Sequence, residues 1–243
     1  MAKYGTVDPD ALAREDLLSM IDYTLLKPEE PLSSYISFLG AARDWGFRTV
    51  FVPPCYVPLA AGMMSATEVV VGAPLGFPFG YTDPETKAAE ALHALEEGAR
   101  ELDMVLNISA ARSEEWEIVE EDMRTVVYAV REWEKLTVLG PVVLKVILET
   151  PYLDDGQKRQ ACRMAAAEGF DFVKTATGLG PGGATVHDVE LMRGVVGDEL
   201  GVKAAGGVRT WEDARAMIAA GADRIGTSTG PELVGDFLRA RGE

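Results

Sequence analysis

The chain has 243 residues, of which 39 are Asp or Glu and 23 are Lys or Arg, so its formal net charge is −16. An acidic surface of this kind repels nucleic acid backbones and anionic lipids, and neither is an expected partner. No run reaches the roughly 18 apolar residues of a membrane span, and the N-terminal residues lack the apolar core of a signal peptide. The two cysteines, Cys55 and Cys162, form no CxxC pair, which favours a reducing cytoplasm.

Short β-branched runs alternate with longer helical patterns along the whole chain. An extra helix is predicted first, over residues 8–17. Eight strands are predicted at residues 18–25, 48–54, 69–76, 100–107, 141–149, 171–177, 201–208 and 223–229. Eight helices are predicted between and after them, near residues 31–45, 55–64, 83–98, 112–135, 154–169, 184–196, 211–221 and 231–241.

This alternation predicts one α/β domain over residues 1–243. Strands that alternate with helices form a parallel sheet, and right-handed crossovers with a count of eight favour closure into a (β/α)₈ TIM barrel. Such a barrel usually needs about 250 residues, which leaves no room for a second domain. The helix at residues 8–17 is additional to the barrel.

Charged residues interrupt four of the predicted strands. Side chains of a barrel strand alternate between the interior and the helices, and the apolar residues Leu102, Met104 and Leu106 should face the helices. Asp103 therefore points inward, and the apolar neighbours of three lysines predict the same for them. These lysines are Lys145, Lys174 and Lys203. A structural ion-pair network would also account for such a group, since buried lysines are costly unless they are paired.

The functional interpretation of the lysines is nucleophilic catalysis. A lysine attacks a carbonyl only as the neutral amine, while a free lysine titrates near 10.4. Burial and a second ammonium group both lower this pKa, and Lys174 and Lys203 on adjacent strands would supply both effects. The resulting Schiff base suits carbon–carbon cleavage, with Asp103 moving protons. The residues alone do not say which lysine is the nucleophile.

Glycine and hydroxyl residues follow the last three strands, where barrels often bind phosphate. Glycine lets the backbone approach an anion, and a helix N-terminus presents free N–H groups to it. Ordinary turn chemistry would explain one such loop, whereas three in succession favour a phosphate site. The segments are Thr175-Ala176-Thr177-Gly178, Gly206-Gly207-Val208-Arg209 and Gly226-Thr227-Ser228-Thr229-Gly230.

Two other chemistries are disfavoured by the sequence. Residues 178–183 match the GxGxxG pattern, but a dinucleotide fingerprint belongs on the first βα turn, with an acidic residue about 20 positions later. Metal-dependent aldolases need several ligands, usually histidines, and this chain has only His93 and His187, both in predicted helices. Neither a metal nor an organic cofactor is expected.

The chain is similar to the deoxyribose-phosphate aldolases, a family of class I aldolases, from Ile21 to about Gly230. The resemblance rests on Lys87 and on the segments 21–28 (IDYTLLKP), 54–58 (PCYVP), 76–80 (GFPFG), 101–107 (ELDMVLN), 144–150 (LKVILET), 172–178 (FVKTATG), 182–185 (GGAT) and 202–210 (VKAAGGVRT).

The resemblance implies a role for each candidate residue. Lys174 would form the Schiff base, Lys203 would lower the pKa of that lysine, and Asp103 would relay protons. Asp22 and Thr24 would lie near the substrate hydroxyls, with Lys145 and Thr177 as further substrate-binding residues. The residues expected near the phosphate are Gly178, Gly206, Gly207, Arg209, Ser228 and Thr229. The family also implies a phosphorylated sugar as substrate and a homo-oligomer, either a dimer or a tetramer.

The chain departs from the family pattern at a few positions, and two other functions stay open. Tyr23 replaces a common His, Phe51 replaces a Cys of some members, and Ala176 replaces a common Ser, while Pro74 cannot donate a hydrogen bond within its strand. One alternative is an aldolase for a longer ketose phosphate. The other is a non-catalytic barrel that binds a phosphosugar, against which the buried lysines argue.

Overall fold

Eight short parallel strands close into a barrel in the computed structural model, which describes residues 4–243. Residues 1–3 of the domain expected over residues 1–243 lie outside the described part. The strands are β1 (Ile21–Thr24), β2 (Thr49–Phe51), β3 (Val70–Leu75), β4 (Glu101–Val105), β5 (Val143–Ile147), β6 (Phe172–Lys174), β7 (Gly201–Ala205) and β8 (Arg224–Thr227).

Ten α-helices accompany these strands within residues 4–243. They are α1 (Arg14–Met20), α2 (Leu32–Trp45), α3 (Val57–Met64), α4 (Pro84–Glu96), α5 (Ile108–Arg112), α6 (Trp116–Leu136), α7 (Asp155–Glu168), α8 (Val186–Val196), α9 (Trp211–Ala219) and α10 (Gly230–Arg241). Single 3-10 turns cover Pro9–Ala11, Pro54–Tyr56 and Thr150–Tyr152.

The predicted (β/α)₈ barrel is confirmed by the strand pairing. Each strand pairs in parallel with the next one along the chain, and β8 pairs with β1, where Tyr23 lies opposite Thr227. The wall between barrel and helices is apolar, as expected, because Leu102 and Met104 have no exposed surface. All strands point the same way, so the loops that follow them meet at one end of the barrel.

The N-terminal region differs from its prediction. The helix expected at residues 8–17 is a 3-10 turn followed by α1, which continues to Met20, so residues 18–20 are helical and β1 begins only at Ile21. The Asp16 carboxylate accepts a hydrogen bond from the Ala13 N–H at 2.8 Å and thereby caps α1 at Ala13, five residues before the expected start of the strand. Leu17 and Leu18 are buried core residues of this helix.

The region between β4 and β5 contains one helix that was not expected. The side chain of Asn107 accepts a hydrogen bond from the Ala110 N–H at 3.1 Å and starts α5 directly after β4. Glu114, which has a φ of 58°, separates α5 from α6. The helix expected at residues 112–135 therefore begins at Trp116 and ends at Leu136.

The predicted helix boundaries are otherwise close. Asp83 is the N-cap residue of α4 and Pro84 its first residue, as expected. Gly98, Gly169 and Gly221 follow the helices α4, α7 and α9 with φ of 114°, 91° and 108°. Within residues 4–243, no helix combines the length and the apolar character that crossing a membrane would require.

Candidate active site

One buried carboxylate, that of Asp103, joins three lysines inside the barrel. Lys174 Nζ and Lys203 Nζ both donate to Asp103 Oδ2, at 2.8 and 2.7 Å, and Lys145 Nζ donates to Oδ1 at 3.1 Å. The predicted inward orientation of all four side chains is confirmed. Lys174 and Lys203 are direct neighbours in the register between β6 and β7, which explains why both reach the same oxygen.

A second level of charges lies around Asp22 and Arg224. Asp22 Oδ2 is 2.6 Å from Lys203 Nζ, and Arg224 Nε donates to Asp22 Oδ1 at 2.8 Å. Glu101 Oε2 accepts from Lys145 Nζ at 2.5 Å and lies 3.1 Å from Arg224 Nη2. We call the group that these residues form with Asp103, Lys145, Lys174 and Lys203 the interior charge cluster.

Glu101 and Arg224 were missed in the sequence analysis, although a signal exists for each. Glu101 precedes Asp103 by two residues in β4, so the alternation that places Asp103 inside places Glu101 inside as well. Arg224 begins β8 two residues before Gly226 and lies opposite Lys203 in the register. Both residues are nearly fully buried, so their charges require the partners described above.

The interior charge cluster holds three carboxylates, from Asp22, Glu101 and Asp103, against four cations, so full ionisation leaves one positive charge in excess. Burial alone would raise the pKa values of Asp22 and Asp103, but the cations outweigh it. Arg224, followed by the lysines, lowers the pKa of Asp22 to about 2. The pKa of Asp103 is likewise held well below its usual range by the three lysines.

The excess positive charge is reflected in the pKa of Lys203, which is lowered to about 8. Burial is the main cause, since it disfavours the ammonium form. Asp103 and Asp22 oppose the shift, while repulsion from Lys174 and Lys145 supports it. The opposite balance holds for Lys145, whose carboxylate partners overcome its burial and raise its pKa.

The ring of Phe51 covers the ammonium groups from the side of β2. Its centroid lies 3.9 Å from Lys203 Nζ, 4.8 Å from Lys145 Nζ and 5.9 Å from Lys174 Nζ. Gly72 on β3 makes room for this ring, because a Cβ atom there would lie 2.5 Å from Phe51 Cζ. The ring excludes water from the lysines and presents its negative face to them.

A cavity opens at the end of the barrel where the strands terminate. Of the three interior lysines, only Lys174 lines it, and it keeps 3% of its surface exposed while Lys145 and Lys203 keep none. The difference follows from strand length: β6 ends at Lys174, whereas β7 continues two residues beyond Lys203 and places Ala205 in the cavity wall.

Most of the predicted substrate-binding residues lie in the cavity wall. Those that line it, besides Lys174, are Thr24, Thr177, Gly178, Gly206, Gly207, Arg209 and Ser228. Lys145 and Asp22 lie beneath the wall in the interior charge cluster, without exposed surface. Thr229 lies beside the wall, where its hydroxyl donates to the Arg209 carbonyl at 2.8 Å.

The cavity wall also contains Lys27, which was not among the predicted site residues. Lys27 follows β1, so its position after a strand of the barrel was a usable signal. Leu26, Leu179 and Val208 form apolar parts of the cavity wall, and they were not among the predicted site residues either. Among residues 4–243, no three or more His, Cys, Asp and Glu side chains come together in a way that could hold a metal ion.

Comparisons with known proteins point to one family. Residues 63–233 match the model of the DeoC/LacD family aldolases. The deoxyribose-phosphate aldolase of Caldanaerobacter subterraneus subsp. tengcongensis is 49% identical over 224 residues, which cover 92% of this chain and 94% of the relative. That of Thermotoga maritima is 49% identical over 220 residues, which cover 90% of this chain and 85% of the relative.

Solved structures agree with the sequence relatives. A tetrameric deoxyribose phosphate aldolase from Aeropyrum pernix superposes with a TM-score of 0.86 at 33% identity and covers 95% of both chains. A structure described as an aldolase, QR15, has a TM-score of 0.85 at 36% identity and covers 93% of this chain and 97% of its own.

Proposed function

The chain belongs to the DeoC/LacD family of aldolases, and on this premise we propose that it reversibly cleaves 2-deoxy-D-ribose 5-phosphate to D-glyceraldehyde 3-phosphate and acetaldehyde, with Lys174 as the Schiff-base lysine. The observation that carries the choice of lysine is that Lys174 alone, among the three interior lysines, lines the cavity. The names of the relatives support the choice of substrate.

The first step needs Lys174 as a neutral amine. The interior charge cluster has one cation in excess, and the pKa of Lys203 is lowered to about 8, so this ammonium group can lose its proton near neutral pH. Lys174 and Lys203 donate to the same oxygen of Asp103. Once Lys203 has lost its proton, Lys174 can therefore pass its own proton to Lys203 and become the neutral amine. Lys203 therefore accepts the proton of the nucleophile, and Asp103 holds the two nitrogens close together for this transfer.

The remaining steps of the proposed reaction take place on the neutral amine of Lys174, which lines the open cavity. The Lys174 nitrogen adds to the aldehyde carbon C1 of the open-chain sugar, and loss of water gives the protonated Schiff base. Asp103, as the proton relay, takes up the C3 hydroxyl proton, the C2–C3 bond breaks, and its electron pair forms an enamine on the lysine while glyceraldehyde 3-phosphate leaves. Protonation at C2 and hydrolysis release acetaldehyde and restore the amine.

The phosphate of the substrate is assigned to the loops after β6, β7 and β8. Gly178, Gly206 and Gly207 have φ of 83°, 93° and 82°, conformations that glycine adopts readily, and all three line the cavity. Arg209 supplies a positive charge there, with Ser228 and Thr229 just before α10, whose free N–H groups favour an anion. Thr24 and Thr177, which line the same cavity as Lys174, would contact the sugar.

Lys145 and Asp22 take part indirectly in this proposal. Lys145 holds Asp103 Oδ1, and Asp22 holds Lys203, so both fix the groups that act on Lys174. Contact with the substrate hydroxyls is left to the residues of the cavity wall, because Asp22 and Lys145 have no exposed surface.

Assembly and location belong to the same proposal. We propose a homo-oligomer, a dimer or a tetramer, and the tetrameric relative from Aeropyrum pernix supports this. A cytoplasmic location is supported by the two cysteines, Cys55 and Cys162, which are both free thiols.

An aldol-cleavage assay tests the proposed function. Purified protein should release acetaldehyde from 2-deoxyribose 5-phosphate and leave fructose 1,6-bisphosphate intact. Cleavage of the bisphosphate alone would favour an aldolase for longer ketose phosphates. Binding of both sugars without cleavage of either would indicate a non-catalytic phosphosugar-binding barrel.

A further inference from the structure

Glu149 is a buried carboxylate at the cavity end of the barrel that none of the steps above uses. It follows β5 after one residue and keeps only 1% of its surface exposed. Its backbone has a φ of 53°, in the left-handed region that costs energy for a residue other than glycine. Such a conformation persists only where the surrounding contacts fix it, so the contacts of this side chain are informative.

The Glu149 carboxylate holds the loop that follows β6. Its Oε2 accepts a hydrogen bond from the Thr177 N–H at 2.7 Å. The adjoining backbones are joined as well, because the Leu148 N–H donates to the Lys174 carbonyl at 2.9 Å and the Thr150 N–H to the Thr175 carbonyl at 3.0 Å. A charged acceptor thus fixes the point at which the chain leaves β6 and enters the cavity wall.

The glycines of residues 178–183 fit this arrangement. A Cβ atom on Gly180 would lie 2.6 Å from Glu149 Oε1, which is too close for any side chain while the carboxylate stays in place. Farther along the loop, a Cβ atom on Gly183 would lie 2.2 Å from the Gly206 carbonyl oxygen. The GxGxxG match therefore reflects a loop pressed between the end of β5 and the end of β7.

We propose that Glu149 is a positioning residue for the phosphate of the substrate, acting through Thr177, Gly178 and Leu179. These three residues line the cavity, and Glu149 itself does not. Glu149 holds them at the depth at which the loop after β6 faces the loop after β7, and Gly180 is required because it leaves space for the carboxylate. This inference rests on the proposed function, since it assigns the loop to the phosphate.

Four variants test the proposal: Glu149→Gln, Glu149→Ala, Gly180→Ala and the double variant with Ala at both positions. Glu149→Ala removes the acceptor for the Thr177 N–H, whereas Glu149→Gln keeps a carbonyl oxygen for it. Gly180 has no left-handed φ, so alanine there meets only the steric conflict with the carboxylate. Glu190→Ala and Gly194→Ala, on α8 and away from the cavity wall, are matched controls.

The readout is the Michaelis constant for 2-deoxyribose 5-phosphate beside kcat/KM for unphosphorylated 2-deoxyribose. Glu149→Ala should raise KM for the phosphorylated sugar about 10-fold or more, the effect of losing one hydrogen bond to a charged group, and leave the unphosphorylated sugar within about twofold. Glu149→Gln should stay near the wild-type values. Gly180→Ala should resemble Glu149→Ala, and the double variant should be no worse than either single one, because both changes break the same contact.

Equal losses on both sugars in folded Glu149→Ala and Gly180→Ala proteins would overturn the proposal, as would effects that simply add in the double variant. Calorimetric titration with inorganic phosphate separates this inference from the proposed function. If the wild-type protein fails to cleave the sugar, weaker phosphate binding in Glu149→Ala still supports the positioning role. Unchanged phosphate binding in that variant contradicts it.

Discussion

Replacing Lys203 with Met tests how the interior charge cluster prepares Lys174 for attack. The ammonium group of Lys203 contacts Asp103 and Asp22 at 2.7 and 2.6 Å and has no exposed surface. The substitution leaves three carboxylates against three cations, so the cluster no longer carries an excess positive charge. No proton is then lost easily, and Asp103 Oδ2 holds the proton of Lys174 firmly.

The expected loss in kcat/KM follows from the pKa at which the cluster loses its first proton, with Lys203 present and with Lys203 replaced. With a pKa of about 8, roughly one cluster in ten has lost its proton at pH 7. If the first proton leaves near the ordinary lysine value of about 10.4, the fraction falls to about one in 2,500, which is a loss of about 200-fold in kcat/KM. The wild-type profile should rise about tenfold per pH unit up to about pH 8, and the Lys203→Met profile should continue to rise beyond pH 9.

The assay is the pH dependence of kcat/KM for aldol cleavage between about pH 6 and pH 10. Lys135→Met, at an exposed position on α6, is the matched control and should retain the wild-type profile. Thermal unfolding of both variants checks that the barrel remains folded. A folded Lys203→Met protein with unchanged turnover and an unchanged profile would refute the reasoning.

Three further predictions concern phosphate binding, metal ions and acid stability. Arg209→Ala should lose about 10- to 100-fold in kcat/KM on the phosphorylated sugar and little on 2-deoxyribose, since Arg209 lines the cavity and we assign it to the phosphate; equal losses would argue against this assignment. EDTA should leave turnover unchanged, because lysine side chains carry the proposed chemistry; a loss that zinc restores would contradict the class I mechanism. Asp22 has its pKa lowered to about 2 from an ordinary value of about 3.9, so its charge contributes about 2 kcal/mol to the free energy of unfolding above the ordinary pKa. That contribution is lost as the pH falls toward 2, and urea unfolding should show a weaker dependence on pH in this range for Asp22→Asn than for the wild type.

The inward position of the catalytic candidates could be predicted because side chains alternate strictly in a strand. Asp103 lies between Leu102 and Met104, and this pattern alone assigns its face. The same rule applies to Glu101 and Arg224, but each stands at the first position of its strand, where a charged residue is ordinarily exposed. Their burial depends on the barrel being closed at that level, which the alternation of residues does not encode.

The difference between Lys174 and Lys203 could not be obtained from the sequence. The two residues are register partners, each with apolar neighbours, and the patterns around them are alike. What separates them is where each strand ends, and the predicted strands were longer than the observed ones at both positions. β6 ends at Lys174, because the chain turns there into the loop that Glu149 holds, while β7 runs on to Ala205.

The N-terminal helix and the glycine-rich loops could likewise be predicted only in part. Apolar residues 17 and 18 suit either a strand or a helix, and only the cap on α1 decides between them. Glycine-rich loops after three consecutive strands could be placed at one end of the barrel, because parallel strands bring them together. The Thr229 hydroxyl donates to the backbone carbonyl of Arg209, 20 positions earlier, and Lys27 shares the cavity wall with the loops after β6, β7 and β8. A single sequence does not specify such contacts between separate segments.

Trapping of the covalent intermediate tests the central claim most directly. Incubation with acetaldehyde followed by reduction with borohydride should leave a stable ethyl group on the enzyme, and peptide mapping should find it on Lys174, which alone among the interior lysines lines the cavity. The Lys174→Met protein should acquire no such modification within the barrel. A modification on Lys203 or Lys145 would overturn the assignment of the nucleophile, and an active enzyme without any modification would contradict the Schiff-base mechanism.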